Sequence, residues 1–148
     1  MVGPKPSREA TLHLTRTFAA PRETIFRAWT DPEELKKWWG PEGYATPTAE
    51  VDLRVGGKYR LGMMKLPKGD IFYLSGTYRE VRPPERLVYT WVWEGSQELG
   101  EMLVTVEFRA RGKETEIHVT HELFPTAKAR EDHGKGWSSC LDRLAKAL

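Results

Sequence analysis

His121 is the residue of this chain best placed for acid–base or ligand-binding chemistry near neutral pH. It alternates with Ile117, Val119 and Leu123 in a strand-like segment, so we predict that all four side chains point inward. An inward histidine either anchors a ligand or pairs its ring nitrogens with backbone groups or a hydroxyl, and proton transfer is a third role. Because burial penalises the charged form, we expect this ring to be neutral near pH 7.

The spacing of the other histidines argues against a metal site. His118 and His121 are three residues apart, and on a strand such residues project from opposite faces. His13 lies on the outer face of the first predicted strand and His133 on the predicted last helix, so neither completes a ligand set. The sequence also has no phosphate-binding loop, serine nucleophile elbow or paired-cysteine motif. We therefore predict no metal, no cofactor and no assigned catalytic residue.

Cys140 is the only cysteine of the chain and lies one helical turn after Trp137, beside Leu141. A position in the middle of a helix offers no helix N-terminus to lower the thiol pKa. We therefore interpret Cys140 as a small buried side chain near the apolar stripe of that helix. A single cysteine forms no internal disulfide, which agrees with a reducing compartment.

Large aromatic rings are abundant and could line a pocket, because each combines apolar area with one directional hydrogen bond. We predict Tyr78, Tyr89, Trp91 and Trp137 as wall residues, with Cys140 and Leu141 beside them. Strand alternation puts Tyr89 and Trp91 on one face. Both faces of the segment 87–93 are apolar, however, so the alternation leaves its inward face open.

Glu80 is the acidic candidate for the same cavity. A buried carboxylate there would hold a ligand hydroxyl or act as an acid. The alternative is that Glu80 pairs with a neighbouring cation and fixes strand register at little net energy.

Composition restricts the class of protein. The chain has 148 residues, 39% hydrophobic and 30% charged, which fits one globular domain, and no apolar run approaches a membrane span. The net charge of +2 is small and the charges alternate in sign, so we predict no nucleic-acid or lipid partner. Residues 1–10 lack the apolar core of a secretory signal and are predicted to form a flexible tail before a domain at 11–148, in the cytoplasm.

Periodicity predicts one strand, two short helices, several hairpins and a long helix. Residues 11–18 alternate as a strand, Pro21 begins a first helix, and Asp31 caps a second helix that ends before Gly40. Turn residues then divide the chain into consecutive strands; they lie at 56–57, 67–70, 83–84, 94–96 and 111–113.

The last helix is predicted to begin near Thr126 and to bury a stripe of apolar residues. The stripe, at spacings of four, three and four, consists of Trp137, Leu141, Leu144 and Leu148. Gly134 and Gly136 each cost a helix about 1 kcal/mol relative to alanine, so we expect a bend or a close backbone approach there. A curved sheet of hairpins that wraps this helix buries both apolar faces.

Three segments carry a resemblance to a known family. They are GTYREVRPPERLVYTW at 76–91, DLRVGG at 52–57 and GWSSCLDRL at 136–144. The chain resembles the activator of heat shock protein 90 ATPase homologues, within the START-like superfamily. This resemblance implies an α+β helix-grip fold, with an antiparallel sheet of six or seven strands and the long helix over its concave face. It also implies an elongated cavity between sheet and helix.

The resemblance suggests a protein that binds a small hydrophobic or aromatic molecule in that cavity. An enzyme such as a cyclase or hydrolase on the same fold, using His121 or Glu80, is the alternative. Activation of a chaperone ATPase is less favoured, because family members with that activity carry an additional N-terminal domain for which we see no room. The sequence leaves the ligand open, and it also leaves open whether the chain forms a homodimer.

Overall fold

The computed structural model describes residues 10–148, which form one antiparallel sheet and three helices. The elements are β1 Ala10–Phe18, α1 Arg22–Thr30, α2 Pro32–Trp38, β2 Tyr44–Val51, β3 Lys58–Lys65, β4 Ile71–Arg82, β5 Arg86–Trp93, β6 Met102–Arg111, β7 Glu114–Phe124 and α3 Ala127–Ala147. The seven strands have the order β1-β7-β6-β5-β4-β3-β2, so every pair of neighbours except β1 and β7 is consecutive in the chain. The α+β fold class and the upper predicted strand number are therefore confirmed.

The start of β1 differs by one residue from the prediction. Ala10 already pairs with Phe124 of β7, whereas the predicted tail included it. The rest of the predicted tail, residues 1–9, lies outside the described part of the chain. Four of the five predicted turn regions lie wholly between strands, and the fifth, 111–113, begins with the last residue of β6. The tightest is the connection from Arg111 to Glu114, where Gly112 takes a φ of +65° that suits a residue without Cβ.

The two short helices cover the sheet beside α3. The Asp31 side chain accepts a hydrogen bond from the backbone N–H of Glu33 over 2.9 Å and so caps α2 as predicted. The indole of Trp38 donates to the carbonyl of Ala28 over 2.9 Å, which ties α2 to α1.

The long helix begins where the sequence predicts. The hydroxyl of Thr126 accepts from the backbone N–H of Ala129 over 3.0 Å and caps α3. Trp137, Leu141 and Leu144 are buried, as expected from their spacing. The prediction for Leu148 is wrong: α3 ends at Ala147, and the Leu148 side chain remains 47% exposed. The apolar spacing in the sequence therefore includes one residue that lies beyond the end of the helix.

Helix α3 runs without a break through Gly134 and Gly136. A Cβ at Gly134 would lie 3.4 Å from a methyl group of Leu12, and a Cβ at Gly136 would meet nothing within 4 Å. The close approach at Gly134 is therefore to a side chain rather than to another backbone. At Gly136, by contrast, the space that a side chain would occupy is empty.

The inward face of β7 changes at its end. Ile117, Val119 and His121 are buried as predicted, but Leu123 is 38% exposed and Phe124 is buried instead. Leu123 has a φ of +70°, and the pairing with β1 shifts by one residue there, so a β-bulge reverses the alternation. Placing Leu123 inward was therefore wrong, because strict alternation does not anticipate a bulge.

Among residues 10–148, no helix combines the length and apolar character needed to cross a membrane.

Candidate functional site

An apolar cleft of about 250 Å³ lies between the sheet, the loop after α2 and the middle of α3. We call it the tryptophan cleft. Its volume is slightly below the roughly 300 Å³ at which ordinary ligand pockets begin. Its lining consists of Trp39, Gly40, Pro41, Met63, Trp91, Trp93, Asp132, His133, Gly136, Trp137 and Cys140.

Trp91 of β5 is the centre of the aromatic wall. Its ring centroid lies 5.5 Å from that of Trp137, 5.8 Å from that of Trp93 and 6.2 Å from that of Trp39. These contacts place the side chains of Trp91 and Trp93 on the helix-covered face, which settles the orientation that alternation left open. Rings at such tilted separations pack favourably and present flat apolar surfaces.

Two histidines pair with tryptophans in or behind this wall. The indole of Trp93 donates to Nε2 of His133 over 2.9 Å, and Nδ1 of His133 donates to the carbonyl of Ala129, four residues earlier in α3, over 2.7 Å. The indole of Trp137 donates to Nδ1 of His121 over 3.0 Å. These bonds fix one tautomer for each ring: His133 carries its proton on Nδ1 and His121 carries its proton on Nε2.

Both histidines are held in the neutral form. Burial lowers the pKa of His121 well below its usual value, and the neighbouring His133 lowers it further. Burial also lowers the pKa of His133, although the bond to Ala129 opposes this shift. His133 borders the cleft, whereas His121 is fully buried behind the wall, with its ring 4.8 Å from that of Trp91. His121 thus lies near the cleft without lining it.

Cys140 borders the cleft, and its side chain is a thiol. Burial raises its pKa to about 12, so the thiolate that would act as a nucleophile is not formed at neutral pH. His133 has no free lone pair for a base, because Nε2 accepts from Trp93. In this geometry, neither Cys140 nor His133 is therefore in the form that acyl or proton transfer would need.

Tyr78 and Tyr89 border a second, much smaller cavity together with Trp91. Its volume is about 20 Å³, close to that of one water molecule. The indole of Trp29 donates to the hydroxyl of Tyr89 over 3.2 Å. Burial raises the pKa of both tyrosines above the usual range, so they remain neutral. These two predicted wall residues therefore lie beside a packed aromatic core, and Trp39 and Trp91 border both cavities.

The remaining predicted residues lie outside both cavities. Leu141 is fully buried in the core beneath α3. Glu80 is partly exposed and forms ion pairs with Arg82 over 2.9 Å and Arg86 over 3.3 Å. Its geometry agrees with the structural alternative considered for it, a cross-strand charge pair.

Sequence reasoning missed several residues of the lining, above all Trp39, Met63, Trp93, His133 and Gly136. Two of them had a readable signal. Trp93 follows Trp91 by two residues and so shares its strand face, and His133 precedes Trp137 by four residues and so shares its helix face. Trp39 and Met63 come from distant segments that only the folded chain brings together.

Arg143 fixes the loop that closes one side of the cleft. Its Nη1 donates to the carbonyl of Gly40 over 2.6 Å and lies 3.4 Å from the carbonyls of Trp39 and Pro41. Ser139 accepts from the backbone N–H of Glu42 over 2.7 Å. α3 therefore carries both the floor of the cleft and the groups that hold its rim.

Within residues 10–148, no three His, Cys, Asp or Glu side chains are grouped so that they could hold a metal ion.

A seven-stranded antiparallel sheet that packs its face on a long C-terminal helix, with two short helices after the first strand, defines the helix-grip, START-like class of proteins. The family model described as activator of Hsp90 ATPase homolog 1-like protein matches residues 19–148, and the chain belongs to this family. A search of curated proteins finds no match.

Solved structures support the same assignment. A protein from Chromobacterium violaceum is 32% identical, with 94% of this chain and 97% of that chain covered and a TM-score of 0.84. The AHSA1 protein from Silicibacter pomeroyi is 29% identical, with 94% and 97% covered and a TM-score of 0.83. A protein from Plasmodium falciparum described as an HSP90 activator is 27% identical, with 93% and 95% covered and a TM-score of 0.75.

Proposed function

We propose that this protein binds a small, neutral, apolar or aromatic molecule in the tryptophan cleft. The observation that carries the proposal is the cleft itself, about 250 Å³ of space between four indole rings and α3. Apolar ligand surface that enters such a site leaves water, which favours binding by about 25 cal/mol per Å². The flat ring surfaces of Trp91 and Trp137 would give an aromatic ligand additional stacking contacts.

Charge also favours a neutral ligand. The acidic group at the rim, Asp132, is paired with Lys128 over 3.0 Å. His133 and Cys140 border the cleft in their neutral forms, because burial lowers the pKa of His133 and raises the pKa of Cys140. A charged ligand group would therefore lose its hydration without gaining a charged partner inside the cleft.

Chaperone activation is a second candidate, supported by one comparison. The protein from Plasmodium falciparum that is described as an HSP90 activator matches 93% of this chain at 27% identity. An ATPase assay of HSP90 with and without this protein tests that candidate. A stimulated turnover would favour it, and an unchanged turnover would leave ligand binding as the function supported by the cleft.

Native mass spectrometry of freshly purified protein tests ligand binding directly. We expect a fraction of the protein to carry an added mass that disappears on denaturation. Naphthalene then serves as a defined probe in an NMR titration, with shifts expected at the indole signals of the cleft. Absence of both a retained mass and a naphthalene-dependent shift would contradict the proposal.

Gly136 allows the site to be blocked. A Cβ at Gly136 meets nothing within 4 Å, and Gly136 lines the cleft, so we expect the side chain of Gly136→Leu to occupy part of the cleft volume. We expect naphthalene to bind Gly136→Leu at least tenfold more weakly, while Gly136→Ala is affected much less. Gly134→Ala is the matched control, since it makes the same helix-favouring change two residues away from the cleft wall.

A further inference from the structure

Phe72 lies on the face of the sheet that carries the tryptophan cleft. It is directly opposite Met63 of β3 in the antiparallel pairing, so the two side chains project from the same face. Met63 lines the cleft. The next inward residue of β4, Leu74, is directly opposite Trp93 of β5, which also lines the cleft. Phe72 is therefore carried by the strand that runs between two strands with lining residues.

The neighbours of Phe72 in the chain point the opposite way. A Cβ at Gly62 of β3 would lie 3.0 Å from the Tyr73 ring and 3.1 Å from a methyl group of Ile71, so these two side chains occupy the outer face. On the inward face, Leu74 is 1% exposed, whereas Phe72 is 51% exposed. The cover of this face therefore ends between Leu74 and Phe72.

Two contacts of α3 close the cleft on the two sides of β4. On the β5 side, His133 accepts from the indole of Trp93. On the β3 side, Arg143 donates to the carbonyl of Gly40, in the loop that contacts β3. β4 runs between β3 and β5, so the strand position of Phe72 lies between the two closed sides.

The cleft by itself has room for about two fused rings. A cavity of about 150 Å³ accommodates one benzene ring, and the cleft has a volume of about 250 Å³. Ordinary ligand pockets begin at about 300 Å³. A ligand of ordinary size would therefore extend beyond the cleft. Exposure of one phenyl ring alone says little, because single apolar side chains are common on protein surfaces. The position of Phe72 beside Met63 carries the argument.

We propose that the ligand of the tryptophan cleft is an aryl-alkyl molecule whose ring system lies among the indoles and whose alkyl chain leaves over β4 and packs on the ring of Phe72. The part of the chain that packs there leaves water, which favours binding. A polar group at the end of the chain would remain in water. This inference deepens the proposed function and rests on it, and it makes Phe72 a residue that selects ligands by length.

Naphthalene and 4-(2-naphthyl)butan-1-ol test this assignment. They share one ring system, and the second adds an alkyl chain whose hydroxyl keeps it soluble. Dissociation constants from NMR titration give a ratio of naphthalene to naphthylbutanol for each variant. We expect a ratio of about 10 in the parent, since about two methylene groups are buried on Phe72, and a ratio of about 2 or less in Phe72→Ala. Naphthalene itself should bind both proteins with similar affinity.

Ile71→Ala is the matched control. Ile71 is the adjacent apolar residue and is 40% exposed, but it projects from the outer face. We expect Ile71→Ala to keep the ratio of the parent. An equal ratio in the parent and in Phe72→Ala, or an equal fall in both variants, would overturn the inference and leave the proposed function intact. Failure of both probes to bind the parent would overturn the inference, and together with the absence of a retained mass it would overturn the proposed function as well.

A measurement on the parent protein does not depend on the folding of either variant. In the complex with the naphthylbutanol, nuclear Overhauser contacts locate the chain. We expect contacts from the chain methylene protons to the Phe72 ring and from the naphthyl protons to the indole of Trp137. Naphthyl contacts to Trp137 without chain contacts to Phe72 would show that the chain leaves by another route, and would overturn the inference.

Discussion

The indole of Trp137 donates its Nε1–H to Nδ1 of His121 over 3.0 Å, and this single bond joins the middle of α3 to β7 behind the tryptophan cleft. Both side chains are buried. The bond fixes the tautomer of His121 and the orientation of the ring that forms one wall of the cleft. Stability of the helix packing and shape of the site therefore depend on the same pair.

The first prediction concerns that pair. Trp137→Phe leaves Nδ1 of His121 as a buried acceptor without a partner, whereas Trp91→Phe removes an N–H that has no protein partner. Both changes remove similar ring volume from one cluster. We expect Trp137→Phe to lower the free energy of unfolding by about 1–3 kcal/mol more than Trp91→Phe. Urea denaturation of both variants measures the difference, and equal losses would contradict the role of the bond.

The second prediction is a loss of stability in mild acid. Burial holds the pKa of His121 and of His133 below the ordinary value of 6.5. Below pH 6.5 these two histidines bind protons in the unfolded chain but not in the folded chain. The free energy of unfolding is therefore unaffected by them above pH 6.5 and falls as the pH decreases below it. The slope for each histidine is at most about 1.4 kcal/mol per pH unit.

Urea midpoints of the parent and of His121→Gln between pH 7.5 and pH 4.5 test this dependence. Glutamine keeps an oxygen acceptor for Trp137 but does not titrate. We expect the variant to lose less stability than the parent over this interval. Parallel curves would mean that the buried His121 ring does not contribute to acid sensitivity.

The third prediction separates the buried and exposed ends of the apolar stripe on α3. Leu141 and Leu144 are fully buried or nearly so, and Leu148 is 47% exposed. Leu141→Ala and Leu144→Ala should each cost about 2–5 kcal/mol in the free energy of unfolding. Leu148→Ala should change it by less than about 0.5 kcal/mol. Thermal and urea unfolding provide the values, and a large effect at Leu148 would disprove this division.

The fourth prediction concerns the rim of the cleft. Arg143 binds the carbonyls that follow α2, whereas Arg16 forms an exposed ion pair with Asp142 over 2.7 Å. Arg143→Met should cost about 1–3 kcal/mol because the Gly40 carbonyl loses a charged donor. Arg16→Met should cost less than about 1 kcal/mol. Hydrogen exchange at residues 40–43 should also accelerate only in Arg143→Met, and unchanged exchange there would argue against a fixed rim.

Local patterns in the sequence were sufficient for most of the fold. The capping residues Asp31 and Thr126 act on backbone groups within three residues, so their effect can be read directly from the chain. The same holds for the turns between strands and for the inward direction of His121 and Trp137, whereas the orientation of Trp91 was decided by the folded chain. Leu123 and Leu148 were misplaced because a bulge and a helix end interrupt the periodic patterns.

The composition of the candidate site was decided by the tertiary structure. Trp39, Met63 and His133 come from the loop after α2, from β3 and from α3, and they meet only when the helix packs across the sheet. Glu80 follows Tyr78 by two residues in β4, so simple alternation places both on one face, but the pairing with β5 shifts between them and Glu80 pairs with Arg86. Hydrogen bonding is equally non-local, since the partner of His121 lies sixteen residues away on another element. Sequence periodicity determines which face a side chain occupies, whereas the packing of distant elements determines which side chains share a cavity and which donors remain unpaired.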